Sequence, residues 1–135
     1  TTALQDGNWN LSEQTQEGDE NLAYSNQLNG NFNNAFQDQL GDENEARAGS
    51  NGSFNTIYQT QEGIANYALH LQLGNGNWAE TDQYGDDNTA VGGQTGNLNR
   101  IEQYQDGLNH SATDIQNGTL NAKGLKQLCL SKTEL

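Results

Sequence analysis

Apolar residues are sparse in this chain and return in phase instead of gathering in runs. Glycine marks the phase, at Gly7, Gly18, Gly30, Gly41, Gly52, Gly63, Gly74, Gly85, Gly96, Gly107 and Gly118. Each step is 11 residues except the 12 from Gly18 to Gly30. Three residues on stands an asparagine: Asn10, Asn21, Asn33, Asn44, Asn55, Asn66, Asn77, Asn88, Asn99 and Asn121, with His110 in the remaining place. Two residues before the glycine stands a glutamine: Gln5, Gln16, Gln39, Gln61, Gln72, Gln83, Gln94, Gln105 and Gln116. Ser50 and the stretch around Gln27-Leu28 depart from this rule.

Counting each unit from its glutamine, position 8 is alanine in every second unit (Ala23, Ala46, Ala68, Ala90, Ala112). Position 10 is glutamine in most of the others (Gln14, Gln37, Gln59, Gln103). Position 5 alternates too, with Trp9, Phe32, Phe54, Leu98 and Leu120 in one set and Glu20, Glu43 and Asp87 in the other. The true repeat is therefore a pair of units, about 22 residues, and the chain holds about five and a half of them.

This spacing predicts a strand and a bend in each unit. Glycine with polar neighbours makes the bend, because it accepts positive φ at no steric cost. In the strand, alternate residues share a face, so Asn66, Ala68, His70 and Gln72 point one way and Tyr67, Leu69 and Leu71 the other. The regular set is expected inside, since only burial against an identical neighbour demands identity. The variable set is expected to face water. A helix with an 11-residue period is conceivable, but a glycine in every unit costs about 1 kcal/mol each against alanine and there is no apolar stripe. The expected fold is all-β: a β-solenoid of stacked strand-turn-strand rungs over residues 5–126, after a short lead 1–4 and before an atypical tail 127–135.

Composition alone would argue the other way. Only 31% of residues are hydrophobic and the net charge is −13, which in an aperiodic chain reads as disorder. The repeat resolves the conflict if buried amides meet one another: a ladder of Gln and Asn satisfies its own donors and acceptors and pins the register. The phased glutamines and asparagines are thus the candidate functional residues, with the phased glycines as turn residues. An open stack of this kind has two edges able to join other copies into a filament, and Gln5 leaves little room for an N-terminal cap.

The run Gln16-Glu17-Gly18-Asp19-Glu20-Asn21-Leu22-Ala23-Tyr24-Ser25-Asn26-Gln27 resembles the curlin repeat, as do Gln61 to Gln72 and Gln83 to Gln94. The resemblance covers nearly the whole chain. It implies a structural subunit of curli-like fibres, the extracellular functional amyloid of bacterial biofilm matrix, serving adhesion and cohesion at the cell surface. Its implied partners are copies of itself, a nucleator subunit and a secretion machinery. Three features depart from the family pattern: asparagine where serine often opens the repeat, no visible secretion-targeting segment, and the stretch from Lys123 to Leu135 with its lone Cys129.

No enzyme, cofactor or metal role is expected. Cys129 lacks a catalytic neighbourhood, His70 and His110 fall in ladder positions as core imidazoles, and the phased glycines serve the repeat with no phosphate-binding loop among them. The acidic bends Asp19-Glu20, Asp42-Glu43 and Asp86-Asp87 either bind a hard cation such as calcium or form a solvated edge that slows premature assembly. The strong negative charge disfavours nucleic acid and anionic membrane as partners, and no apolar run approaches membrane-spanning length. A monomeric β-solenoid that binds a surface is the alternative, and an enzyme on a parallel β-helix the remote one, since the bends are too short to build a cleft.

Overall fold

The computed structural model describes residues 1–128 and contains strands only. They are β1 (Thr2–Gln5), β2 (Leu11–Glu17), β3 (Leu22–Leu28), β4 (Asn34–Asp42), β5 (Glu45–Asn51), β6 (Thr56–Ile64), β7 (Tyr67–Leu73), β8 (Trp78–Asp86), β9 (Thr89–Asn97), β10 (Arg100–Leu108), β11 (Ser111–Thr119) and β12 (Ala122–Leu128). Odd strands form one parallel six-stranded sheet in chain order, and even strands form a second. One odd and one even strand make a rung, so the molecule is a β-solenoid in which each residue lies over the one 22 positions earlier, as Ala68 over Ala46 and Gln83 over Gln61, or 23 where the 12-residue unit intervenes, as Gln39 over Gln16.

The two sheets face each other across a thin core. Inward positions alternate with outward ones along every central strand, as in β7, where Ala68, His70 and Gln72 are buried between more exposed neighbours. The apolar part of that core is small: Ala23, Ala46, Ala68, Ala90 and Ala112 in the odd sheet oppose Ala35, Ile57, Ala79 and Ile101 in the even one. Alanine on one side leaves room for isoleucine on the other, and the remaining interior is filled by amides.

The outer boundaries need correction. The expected lead 1–4 is not separate from the stack, because Thr2–Gln5 pairs in register with Tyr24–Gln27. At the other end β12 carries the solenoid through Leu128, with Gln127 paired to Gln105. Its backbone meets β10 as any inner strand would, so the atypical composition from Lys123 onward does not end the fold. Cys129 and the rest of the expected tail lie outside the described residues.

The 12-residue unit also resolves. Gln27 pairs with Gln5 on one side and Ser50 on the other, so the strand keeps phase and the extra residue falls in the bend after it. Asn29 there takes a left-handed φ of 53°. Gly30, expected to turn through positive φ like its counterparts, does not. It is still required small: a Cβ there would lie 1.7 Å from the Gly52 carbonyl oxygen of the next rung.

Candidate functional site: two glutamine columns and their bends

The chemistry-bearing groups lie in columns that run the length of the stack. In the even sheet Gln16 Nε2 donates to Gln39 Oε1 at 2.6 Å, Gln39 to Gln61 at 2.8 Å, Gln61 to Gln83 at 2.9 Å, Gln83 to Gln105 at 2.8 Å and Gln105 to Gln127 at 2.8 Å. In the odd sheet Gln5 donates to Gln27, Gln72 to Gln94 and Gln94 to Gln116. Ser50 fills the gap there by donating its hydroxyl to Gln72 Oε1 at 3.4 Å. Gln27 and Gln127 belong to these columns although the spacing rule omits them.

Each amide has a second hydrogen, and the structure shows where it goes. Gln61 Nε2 also donates to the Glu45 carbonyl, Gln72 to Thr56, Gln83 to Tyr67, Gln94 to Trp78, Gln105 to Thr89 and Gln116 to Arg100. These carbonyls belong to the facing sheet, so each amide ties two rungs together and two sheets together. A buried primary amide with both hydrogens used is the condition under which a polar core stabilises instead of costing free energy.

A shorter column of the same kind lies at position 10. Gln14 donates to Gln37 and Gln37 to Gln59, each also reaching a main-chain carbonyl across the core. Thr81 then interrupts it, bonding Gln103 Oε1 on one side and the His70 ring from the opposite sheet on the other. His70 fits because its rung neighbours are small: it stacks between Ala48 and Gly92, and a Cβ at Gly92 would fall 2.2 Å from the imidazole. Full burial lowers its pKa to about 4, by desolvation.

The asparagines act differently from the glutamines. An amide-to-amide ladder is expected of both, yet each asparagine chiefly staples the backbone of a bend. Asn55 Oδ1 accepts the Asn77 N–H at 3.0 Å, and Asn55 Nδ2 donates to the Gly74 carbonyl at 2.8 Å. Asn10, Asn21, Asn33, Asn44, Asn66, Asn77, Asn88 and Asn99 likewise donate to a glycine carbonyl one rung on. The Asn121 amide reaches Asn99 Oδ1 and the Asn117 carbonyl instead. Amide-to-amide contacts between asparagines accompany this pattern, as from Asn66 to Asn44 at 3.1 Å, without replacing it. His110 copies part of it: its N–H reaches Asn88 Oδ1 and its ring the Asp106 carbonyl.

The bends hold two positive-φ residues each. Gly63 has φ 127°, and a Cβ there would sit 2.1 Å from the Gly85 carbonyl oxygen, so both conformation and rung spacing exclude a side chain. Two residues on, position 5 is left-handed even where it is not glycine, as at Phe32 (φ 58°), Phe54 (φ 60°), Ala65 (φ 56°) and Leu98 (φ 57°). The sequence marks position 5 by its alternation alone, and its varied side chains conceal that it is a second turn residue. Trp9, Phe32 and Phe54 there stack nearly parallel, with centroids 6.4 and 5.1 Å apart.

The acidic bends have a hydrogen-bonding role. Asp42 Oδ1 accepts the Asp19 N–H at 2.9 Å, and Asp86 Oδ1 accepts the Ile64 N–H at 3.0 Å. Asn31, Ser53, Asn75 and Asn97 do the same in the other column of bends. Among the described residues no group of three or more His, Cys, Asp or Glu is placed to hold a metal ion.

A buried charge breaks the pattern near the last rung. Asp114 stands inward at position 10, wholly buried, and pairs with Lys123, which replaces the alanines and isoleucines of its column. Among the described residues no other group donates to either Asp114 oxygen. Also among the described residues, no helix is long and apolar enough to cross a membrane. Scans against protein-family models and against curated proteins found no match to this chain.

Proposed function

We propose that this chain is a structural subunit that assembles end to end into curli-like extracellular fibres of a bacterial matrix, with no catalytic role. One observation carries the reading: in the unbroken even-sheet column each glutamine is satisfied by the same glutamine of the next rung, from Gln16 through Gln39, Gln61, Gln83 and Gln105 to Gln127. A rung at an edge of the described residues lacks one such neighbour, and β1, β2, β11 and β12 each have one side unpaired. An identical rung from another copy is the group best shaped to fill that side, and the contact repeats without closing. The curlin-like spacing of the same residues supports an extracellular, adhesive setting, in which a nucleator and a secretion apparatus are the further partners.

The test is fibre diffraction and seeding on the purified chain. The expected result is filaments with a meridional reflection near ~4.8 Å, whose growth preformed seeds accelerate and added salt speeds by screening the net charge of −13. A soluble monomer at high concentration, unresponsive to seeds and salt, would remove the proposal.

A further inference from the structure

The outward faces of the two sheets are chemically unlike. On the even sheet, carboxylates project from each strand from β2 to β10, including Glu13, Asp38, Glu62, Asp82 and Glu102. On the odd sheet the outward charges among the described strands are Glu45 and Arg47, and these pair with each other. A molecule of net charge −13 therefore carries one broad face with no net charge. Two copies can bring those faces together without setting carboxylates against carboxylates.

That neutral face has relief. One outward column reads Leu4, Asn26, Gly49, Leu71, Gly93, Ile115. Leu71 is 50% exposed and Ile115 78% exposed. Gly49, over which Leu71 leans, leaves notches of about 190 and 210 Å³ between Asn26 and Leu71, walled by Leu28 and Leu73 on one side and by Tyr24 and Leu69 on the other. From Gly49 on, holes and knobs alternate at every rung.

Such a column is self-complementary. A two-fold axis parallel to the strands, passing between Leu71 and Gly93, sets Leu71 of each copy over Gly93 of the other and Ile115 over Gly49. The same operation sets Leu69 against Val91, Glu45 against Ser111 and Arg47 against Thr113, so no like charges meet. We infer that the outer face of the odd sheet is a side-by-side docking surface for a second copy of this chain, paired in this antiparallel register.

Four rungs of overlap cover roughly 1,000 Å² in total, from ~4.8 Å per strand and ~3.3 Å per residue, which is the low end for a specific interface. The isolated pair is weak, and it strengthens when many copies are held in one filament. The contact does not require end-to-end growth and can fail independently of it.

Sedimentation of freshly dissolved chain and electron microscopy of any filaments test it. The expected result is concentration-dependent dimerisation, weakened at least tenfold by Leu71→Glu and by Gly93→Val, and filaments that lose half their width with either change. Gly93→Val adds no charge and is tolerated by the fold, since Gly93 is not left-handed and a Cβ there lies 3.9 Å from Ile115. Leu11→Glu, on the even sheet, leaves dimer and width unchanged. Parent chain that stays monomeric with filaments one molecule wide would overturn the inference, as would a dimer that Leu11→Glu disrupts and Gly93→Val does not. Loss of end-to-end assembly would instead appear in filament length.

Discussion

At the scale of single residues, the bends hold conformational strain that the stack sustains by repetition. A non-glycine residue in the left-handed region costs roughly 1–2 kcal/mol, and position 5 places Trp9, Phe32, Phe54, Leu98 and Leu120 there. The aromatic ones recover part of that cost by stacking on one another. Ala65, at φ 56°, has no ring to stack and gains nothing comparable. Ala65→Gly is therefore expected to stabilise the fold by roughly 0.5–1 kcal/mol, read as a higher urea midpoint with an unchanged slope. A destabilised variant would mean that the methyl group makes a contact worth more than the strain.

At the scale of the strand, what matters is continuity of the amide columns. Gln61→Leu strands the Gln39 amide N–H, the Gln83 carbonyl oxygen and the Glu45 main-chain carbonyl at once. Each loss in a buried site costs about 1–3 kcal/mol, so the expected total is about 3 kcal/mol or more, measured by denaturant titration. Gln5→Leu, on an exposed edge strand, should cost less than 1 kcal/mol. Leucine at Gln39, Gln61 and Gln83 together should cost much less than three times the single change, because partners removed as a set leave fewer orphans. Additive losses would show that the column does not act as a unit.

The strands, their parallel stacking and the inward set were legible in the sequence, because an 11-residue phase combined with a two-residue alternation leaves one solution for Asn66, Ala68, His70 and Gln72. The glutamine columns were legible for the same reason. Gln27 was not, since the Gln-x-Gly spacing is broken there and only the register with Gln5 restores it. The asparagine staples were hidden because their partners are main-chain groups, which no residue pattern reveals. Asp114 and Lys123 are single departures with nothing to phase against. The contrast between the outer faces is hidden in the sequence because the outward positions are the variable ones, and it emerges once alternate units are assigned to opposite sheets.

At the scale of the whole molecule, pH acts on the fold with two signs. Glu80 and Asp82 on the acidic face have pKa values raised first by partial burial, and in Glu80 also by Asp82 and Glu102. Their charged forms cost stability, so acidification just above the ordinary carboxylate range strengthens the fold. His70 opposes this. Its pKa is lowered to about 4, so its contribution is complete above the unfolded imidazole value of ~6.5 and is lost as pH falls toward 4. By linkage that loss is about 2 kcal/mol at pH 5. Thermal unfolding of the parent should show a lower Tm at pH 5 than at pH 7, and His70→Gln should remove the decline. An equal decline in the variant would place the sensitive group elsewhere.

The glutamine columns also have a sense. In both sheets Nε2 of the earlier rung gives its hydrogen to Oε1 of the later one, from Gln5 to Gln27 and from Gln105 to Gln127 alike. The amide dipoles add along the axis as those of a helix do, so the stack is a vector. A copy arriving upside down would set oxygen against oxygen or hydrogen against hydrogen in both columns together. Joined rung to rung, a single row of copies has two chemically different tips, one offering carbonyls and the other N–H groups, whereas two rows docked antiparallel through their neutral faces present one tip of each kind at both ends.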